Sequence, residues 1–270
     1  MKGTRLLLVG CGKMGGALLD GWLQKGIKPD DVLVVDPVFD AYQCSSSEMS
    51  VVRGVKDLPK DFEPDAIVFA VKPQIIEEVA PAYAFYKSTG AIFISIVAGK
   101  TIASFERLIG DDVQLARVMP NTPAAVGRGI SVACGNANVS PQKKELCIQL
   151  FEAVGTSKWI EDEVLMDAVT GVSGSGPAYV FLLIEALAAA GISAGLDPGL
   201  AEELAKETVA GAGILACRSK ETPAVLRENV TSPGGTTAAA LAVLMGPGGM
   251  EAKIDEAVHA AVRRSQELAR

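Results

Sequence analysis

Residues 6–15 constrain this chain more than any other stretch. Leu6-Leu7-Leu8-Val9 is a continuous apolar run that breaks directly into Gly10-Cys11-Gly12-Lys13-Met14-Gly15. A run without polar alternation predicts a strand buried on both faces. Beyond the glycines, Leu18, Leu19, Trp22 and Leu23 form one helical stripe between Met14 and Lys25. Strand, glycine turn and helix in this order fit the G-x-G-x-x-G arrangement that receives a dinucleotide. Gly10 makes the tight turn, Gly12 lets the backbone approach a pyrophosphate, and Gly15 lets helix and strand pack closely. The first helical turn then offers free N–H groups and the positive end of its dipole to phosphates. Glycine-rich turns are common, so the weight of the motif lies in its context. The basic start and short apolar run look superficially like a signal peptide, but the run stops at Val9 and a glycine loop follows.

Further apolar runs at Val32–Val35, Ala66–Val71, Ile92–Ile96 and Leu115–Val118 read as more buried strands. Strands separated by helical patterns imply parallel βαβ units, hence an α/β fold with a Rossmann-type doubly wound parallel sheet. After about residue 160 alanine-rich helical patterns take over. Ile254, Ala257, Val258, Ala261 and Val262 lie on one helix face, and Arg263 and Arg264 follow where the helix dipole favours them. The expected division is a dinucleotide-binding domain over 1–160 and an all-helical domain over 161–270. The most apolar later stretch, Ala178 to Leu196, carries Glu185 and two glycines. It is expected to be a buried helix rather than a membrane span.

Composition narrows the functional classes. Of 270 residues, 49% are hydrophobic and 21% charged, a globular balance. The formal charge of −7 leaves no general basic surface for nucleic acid. Five widely spaced cysteines without a C-x-x-C pair, and a single histidine, His259, argue against a disulfide framework or a metal centre. A reduced, cytoplasmic compartment is expected. His259 itself is expected on the surface.

The second strand ends in Asp36, about 20 residues past the glycine motif, where an acid would accept from the adenosine ribose hydroxyls. An acid just before Pro37 is equally suited to starting a turn. A carboxylate repels a 2′-phosphate, and no Arg or Lys occurs between Asp36 and Val52 to hold one. NADPH or NADH is therefore the expected coenzyme, with Asp36 leaning toward NADH. Arg53 or Lys56 folding back would oppose that lean.

Four more blocks accompany the glycine loop. Ala70-Val71-Lys72-Pro73 ends the third apolar run, and Met119-Pro120-Asn121-Thr122-Pro123 follows the fifth. Gly171 to Tyr179, with Ser173-Gly174-Ser175-Gly176 inside it, opens the apolar helix. Asn229-Val230-Thr231-Ser232-Pro233-Gly234-Gly235-Thr236-Thr237 precedes another. In this order the blocks resemble the pyrroline-5-carboxylate reductase family, from residue 5 to residue 268, and the last two are the more specific. The resemblance implies a Rossmann domain, a helical domain that dimerises, and NAD(P)H-linked formation of L-proline from 1-pyrroline-5-carboxylate, the last step of its biosynthesis. It places cofactor contacts at Gly10, Cys11, Gly12, Lys13, Met14 and Gly15, at Ala70, Val71, Lys72 and Pro73, and at Val97, Ala98 and Gly99. It places substrate contacts at Asn229, Thr236 and Thr237. Between the second and third strands the chain is shorter than many members.

The residues themselves point the same way. Parallel-sheet enzymes bind ligands outside the carboxyl ends of their strands, where the Lys72 and Asn121 loops fall. Lys72 is either a solvated lysine or a contact to cofactor phosphate or ribose; Asn121 offers its amide to the nicotinamide or to backbone. Ser232 to Thr237 reads as a helix N-terminus with free N–H groups and two hydroxyls, suited to a carboxylate, or else as an ordinary cap. Gly174 and Gly176 permit close backbone contact with Ser175 facing the same pocket, or tight helix crossing in a dimer. Reduction of a protonated imine needs orientation, an acceptor near the ring nitrogen and an anion hole rather than a strong acid. Thr237 is the candidate catalytic partner of that nitrogen, with Gly234, Gly235 and Thr236 for the carboxylate. A β-hydroxyacid dehydrogenase would need a helix-borne lysine, and Lys206 sits among Glu202, Glu203 and Glu207 as a solvated face. A non-catalytic dinucleotide sensor would have no use for a second anion pocket. The small-residue helices over Ala178–Leu196 and Leu200–Leu215 are too apolar for a monomer, so a homodimer, or an oligomer of dimers, is expected.

Overall fold

The computed structural model describes residues 3–38 and 49–269. Two compact units emerge, Met1–Gly174 with Ala261–Arg270, and Ser175–Ala260. The division falls later than the expected boundary at residue 160. Met166 is wholly buried in the core of the first unit, and Glu163 pairs with Arg117 there, so residues 161–174 belong to the sheet domain.

The first unit is built on one sheet of β1 (Leu6–Val9), β2 (Val32–Val35), β3 (Ser50–Val52), β4 (Ala66–Phe69), β5 (Ile92–Ser95), β6 (Gln114–Met119), β7 (Gly129–Gly135) and β8 (Gly155–Trp159). Its order is β3-β2-β1-β4-β5-β6-β7-β8. From β3 to β6 every pairing is parallel, with Leu6 opposite both Val32 and Ala66. β7 runs antiparallel to β6, which adds a reversed pair with β8 to the parallel sheet. The five apolar runs all form strands, while β3, β7 and β8 carry no such run. β3 is a half-exposed strand of three residues, β7 is broken by Gly129, Ser131 and Gly135, and β8 alternates like an edge strand.

Both faces of the central strands are covered, which is why their runs are continuously apolar. Leu6, Leu8, Val32, Val34, Val68 and Ile94 face one layer containing Leu18, Leu19 and Trp22 of α1 (Lys13–Gln24). The indole N–H of Trp22 donates to the Leu150 carbonyl at 2.8 Å, tying α1 to α4 (Pro141–Glu152). Leu7, Val9, Ile67, Phe69 and Phe93 face the other layer, which includes α2 (Ile76–Val79), Tyr83 and α3 (Ile102–Ile109). Full burial of each large side chain stabilises the fold by about 1.5–3 kcal/mol. Thr101 and Ser140 begin α3 and α4 by accepting from the N–H groups of Ser104 and Lys143. The short α5 (Met166–Val169) leads into a π-helical turn over Thr170–Gly174.

The second unit contains α6 (Gly176–Ser193), α7 (Pro198–Arg218), α8 (Pro223–Asn229), α9 (Thr236–Leu244) and the start of α10 (Met250–Leu268). α6 and α7 approach closely at Gly191, where an added Cβ would meet Ala201 Cβ at 3.3 Å. Beyond Ala201 and Ala205 this unit has little core among the described residues. The expectation of a buried helix over Ala178–Leu196 fails within a single chain: no residue of α6 is buried. Phe181 is 57% and Leu182 64% exposed. By length and mean hydropathy of 1.6, Glu163–Ser193 would suffice to cross a membrane. The alternative cover is another protein surface, because one antiparallel pair of small-residue helices has too little width to bury its own apolar faces. His259 lies exposed on α10, as expected.

Candidate functional site

The strand order reverses at β1, which pairs with β2 on one side and β4 on the other. Ligands of such sheets lie in the crevice at this reversal, beyond the carboxyl ends of the strands. The Gly10 loop leaves β1 there and Ala70–Pro73 leaves β4. Gly10 takes φ +91°, and a Cβ on it would meet the Ala70 carbonyl carbon at 2.9 Å and Val71 Cγ1 at 2.8 Å. A Cβ on Gly15 would collide with the Gly10 carbonyl oxygen. Around Gly12, by contrast, the space where a Cβ would stand is open. The two outer glycines are thus required by protein packing, and the middle one faces room for a ligand. This cradle fits a dinucleotide pyrophosphate.

A cavity of about 490 Å³ opens beside it. Gly10, Gly12, Asp36, Ala70, Val71 and Lys72 all line it, bringing together residues from three separate sequence blocks. Cys11 and Gly15 are buried beneath the loop, Lys13 starts α1 in solvent, and Met14 is half-buried. Pro73 follows Lys72 at the mouth of the same loop. Asp36 holds the turn and the cradle together: Oδ2 accepts from the Cys11 N–H at 2.7 Å and Oδ1 from the Val38 N–H at 2.9 Å. The turn-starting reading of Asp36 is therefore realised, and the same side chain lines the cavity. Arg53 lines the same cavity, the return that the sequence left open.

Val97, Ala98 and Gly99 follow β5 on the same sheet edge, with Val97 and Gly99 buried and Ala98 exposed. Asn121 takes the backbone alternative. Its Oδ1 accepts from the Ile130 N–H at 2.9 Å, and its Nδ2 donates to the Ser173 carbonyl at 3.3 Å. With both ends of the amide engaged and the residue 9% exposed, it braces its loop against the π-helical turn instead of presenting a free amide to nicotinamide. The same turn sits close to the sheet because Gly174 rests near Met119 Sδ, 3.3 Å from where a Cβ would be.

The substrate candidates belong to the second unit. Ser175, half-buried, precedes α6. Asn229 ends α8 and donates from Nδ2 to Glu221 Oε2 at 3.0 Å. The chain then turns through Ser232–Gly235, closed by a Gly235 N–H to Ser232 carbonyl bond of 3.0 Å, with Gly234 at φ +71°. α9 begins at Thr236 with Gly235 as its cap residue and no side chain capping it. The N–H groups of its first turn are thus left for another acceptor. Thr237 is half-buried and Thr236 exposed.

Comparison with known proteins addresses both units. Residues 163–268 match the family described as pyrroline-5-carboxylate reductase dimerisation, and residues 5–99 match NADP oxidoreductase coenzyme F420-dependent. A pyrroline-5-carboxylate reductase of Pseudomonas aeruginosa is 38% identical over 269 residues, spanning 100% of this chain and 98% of its own. The chain belongs to the pyrroline-5-carboxylate reductase family. Solved structures of that family agree in fold: the Coxiella burnetii reductase aligns with a TM-score of 0.92 at 31% identity over 99% of both chains. The Plasmodium falciparum pyrroline carboxylate reductase, solved with NADP bound, gives 0.87 at 32% identity over 100% of both. In this member of the pyrroline-5-carboxylate reductase family, Val38, Gly54, Ile75, Val79 and Tyr83 also line the cavity, unforeseen from sequence. Ile75 and Val79, one helical turn apart after Pro73, carried a weak signal. Tyr83 carried none, since it arrives by packing edge-on against Phe69 at 5.5 Å. Burial pushes its phenol above the ordinary range.

Proposed function

We infer that this chain reduces the ring C=N bond of 1-pyrroline-5-carboxylate to L-proline, the last step of proline biosynthesis. The observation that carries this is the match to pyrroline-5-carboxylate reductases along the full chain. The glycine cradle supplies the chemical basis. Gly10 to Gly15 and the first turn of α1 hold the pyrophosphate, Ala70–Pro73 and Val97–Gly99 flank the dinucleotide, and Lys72 answers its negative charge. A bound reduced nicotinamide supplies a hydride for the ring carbon of the C=N bond. Asp36 favours NADH because its carboxylate stands in the cavity that a 2′-phosphate would enter. Arg53 offers that phosphate a counter-charge, so NADPH is also accepted.

The substrate is held by the Asn229 to Thr237 segment. Gly234, Gly235 and Thr236, with the uncapped first turn of α9, receive its carboxylate, while Ser175 and Asn229 orient the ring. The Thr237 hydroxyl accepts from the protonated ring nitrogen. A ring that enters as its iminium leaves as a neutral amine, so the site needs no strong acid. Thr237→Ala is expected to lower kcat/KM about 100-fold, within the range of positioned hydrogen-bonding groups, while coenzyme affinity stays unchanged. Steady-state kinetics with coenzyme titration test this. Wild-type rates in the variant would remove Thr237 from the site.

A second copy of the chain covers the exposed faces of α6, α7 and α9, giving a homodimer. The match of residues 163–268 to a dimerisation family supports this over a membrane. Cys134, Cys147 and Cys217 are free thiols, which suits a reduced cytoplasm.

A further inference from the structure

The last turn of α10 is anchored within the sheet unit. Ser265, 6% exposed, donates its hydroxyl to Asp167 Oδ1 at 2.6 Å. Asp167 lies in α5, next to the fully buried Met166. One turn beyond Ser265, Leu268 rests on Gly99. A Cβ built on Gly99 would meet Leu268 Cβ at 2.9 Å and its carbonyl oxygen at 3.1 Å. Gly99 also takes φ +71°, so backbone conformation and close approach both require glycine there.

The loop carrying Gly99 is held at its two ends by other elements. The Ile96 N–H donates to the Phe69 carbonyl at 3.1 Å, and the Val97 N–H to Ser95 Oγ at 3.3 Å. At the far end, Thr101 caps α3 and the Ile102 N–H donates to Glu163. Between these ties, α10 presses on Gly99 from the protein side.

We propose that the end of α10 is a brace, in which Ser265 and Leu268 act as positioning residues that set the Val97–Gly99 backbone for the dinucleotide. The inference rests on the reading of this loop as part of the coenzyme site. Ser265 fixes the helix against α5, and the fixed helix fixes Gly99. Displacements well under the length of a hydrogen bond at such a loop weaken binding, because polar contacts decline steeply with distance.

Titration of the full-length protein with NADH and with NADPH, without substrate, reads the brace directly through the nicotinamide fluorescence. Hydrogen exchange of loop residues 96–101 in the unliganded protein gives a second readout. Ser265→Ala is expected to raise the coenzyme Kd about fivefold, the effect of one net hydrogen bond, and to speed loop exchange. Ser265→Thr, which keeps the hydroxyl, is expected to restore both. Combined with Gly99→Ala, Ser265→Ala should add less than its separate effect, because both changes release the same contact. Should Ser265→Ala lose its fold, Leu268→Gly withdraws only the side chain resting on Gly99 and carries the same test. A wild-type protein that binds neither coenzyme overturns the coenzyme reading. A wild type that binds, with Kd or loop exchange unchanged in the variant, overturns the brace alone.

Discussion

Asp36 does two things with one carboxylate. It fastens the glycine loop through the Cys11 N–H, and it places a negative charge in the cavity with Arg53. Asn keeps an acceptor for the Cys11 N–H but removes the charge. Asp36→Asn is therefore expected to shift the NADPH-to-NADH ratio of kcat/KM upward by about tenfold, the scale of a screened contact between unit charges. Steady-state kinetics with both coenzymes measure it, and an unchanged ratio would deny Asp36 its part in selection. Gly15 tolerates less. Because a Cβ there collides with the Gly10 carbonyl, Gly15→Ala is expected to weaken coenzyme binding about 5- to 150-fold, as overpacking by about 1–3 kcal/mol implies. Fluorescence titration checks this.

At the scale of elements, the region joining β6, α3 and residues 161–165 depends on a buried ion pair. Arg117, its side chain 5% exposed, reaches Glu163 Oε1 at 2.9 Å, and the same oxygen accepts from the Ile102 N–H. The Arg117 Nε and Nη2 groups are buried without a protein partner, so the guanidinium depends heavily on Glu163. Glu163→Ala leaves that charge uncompensated and is expected to cost about 3 kcal/mol in urea unfolding, a loss typical of breaking a buried pair. Beside it, the Cys134 thiol is pushed up to about 12, first by burial and then by the Glu163 carboxylate. The folded chain keeps this proton where the unfolded chain releases it. Stability from this group is complete below pH 9 and declines as pH rises toward 12, by up to about 1.4 kcal/mol per pH unit. Urea unfolding between pH 8 and pH 10 should show a shallower alkaline decline in Cys134→Ala than in wild type. Parallel slopes would contradict this.

At the scale of the whole molecule, the sequence conveyed the parallel strands because burial on both faces leaves a continuous apolar run. β7 and β8 escaped because an edge pair interrupted by glycine and serine gives no such run. The glycine turn was legible since its two outer glycines each have a local steric reason. Arg53 was legible only as a residue able to fold back, and Tyr83 not at all, because tertiary packing alone brings them to the cavity. For Asn121 the sequence left nicotinamide and backbone both open, because its partners, Ser173 and Ile130, lie in other elements. The apolar character of α6 was plain, and it pointed to cover by a second copy, since no contact inside one chain buries it. Sedimentation equilibrium is expected to return at least twice the 28.0 kDa chain mass. Leu182→Asp should weaken that association about 30-fold or more, the loss at a central apolar contact. A folded, active monomer of the wild type would refute the assembly.

The most direct test of the central claim follows the hydride to product. The enzyme is incubated with 1-pyrroline-5-carboxylate and a reduced coenzyme carrying deuterium at both C4 positions of the nicotinamide, and the product is examined by mass spectrometry and NMR. The account predicts L-proline with one deuterium, located at C5. Coenzyme left unoxidised, or proline formed without the label, would contradict it.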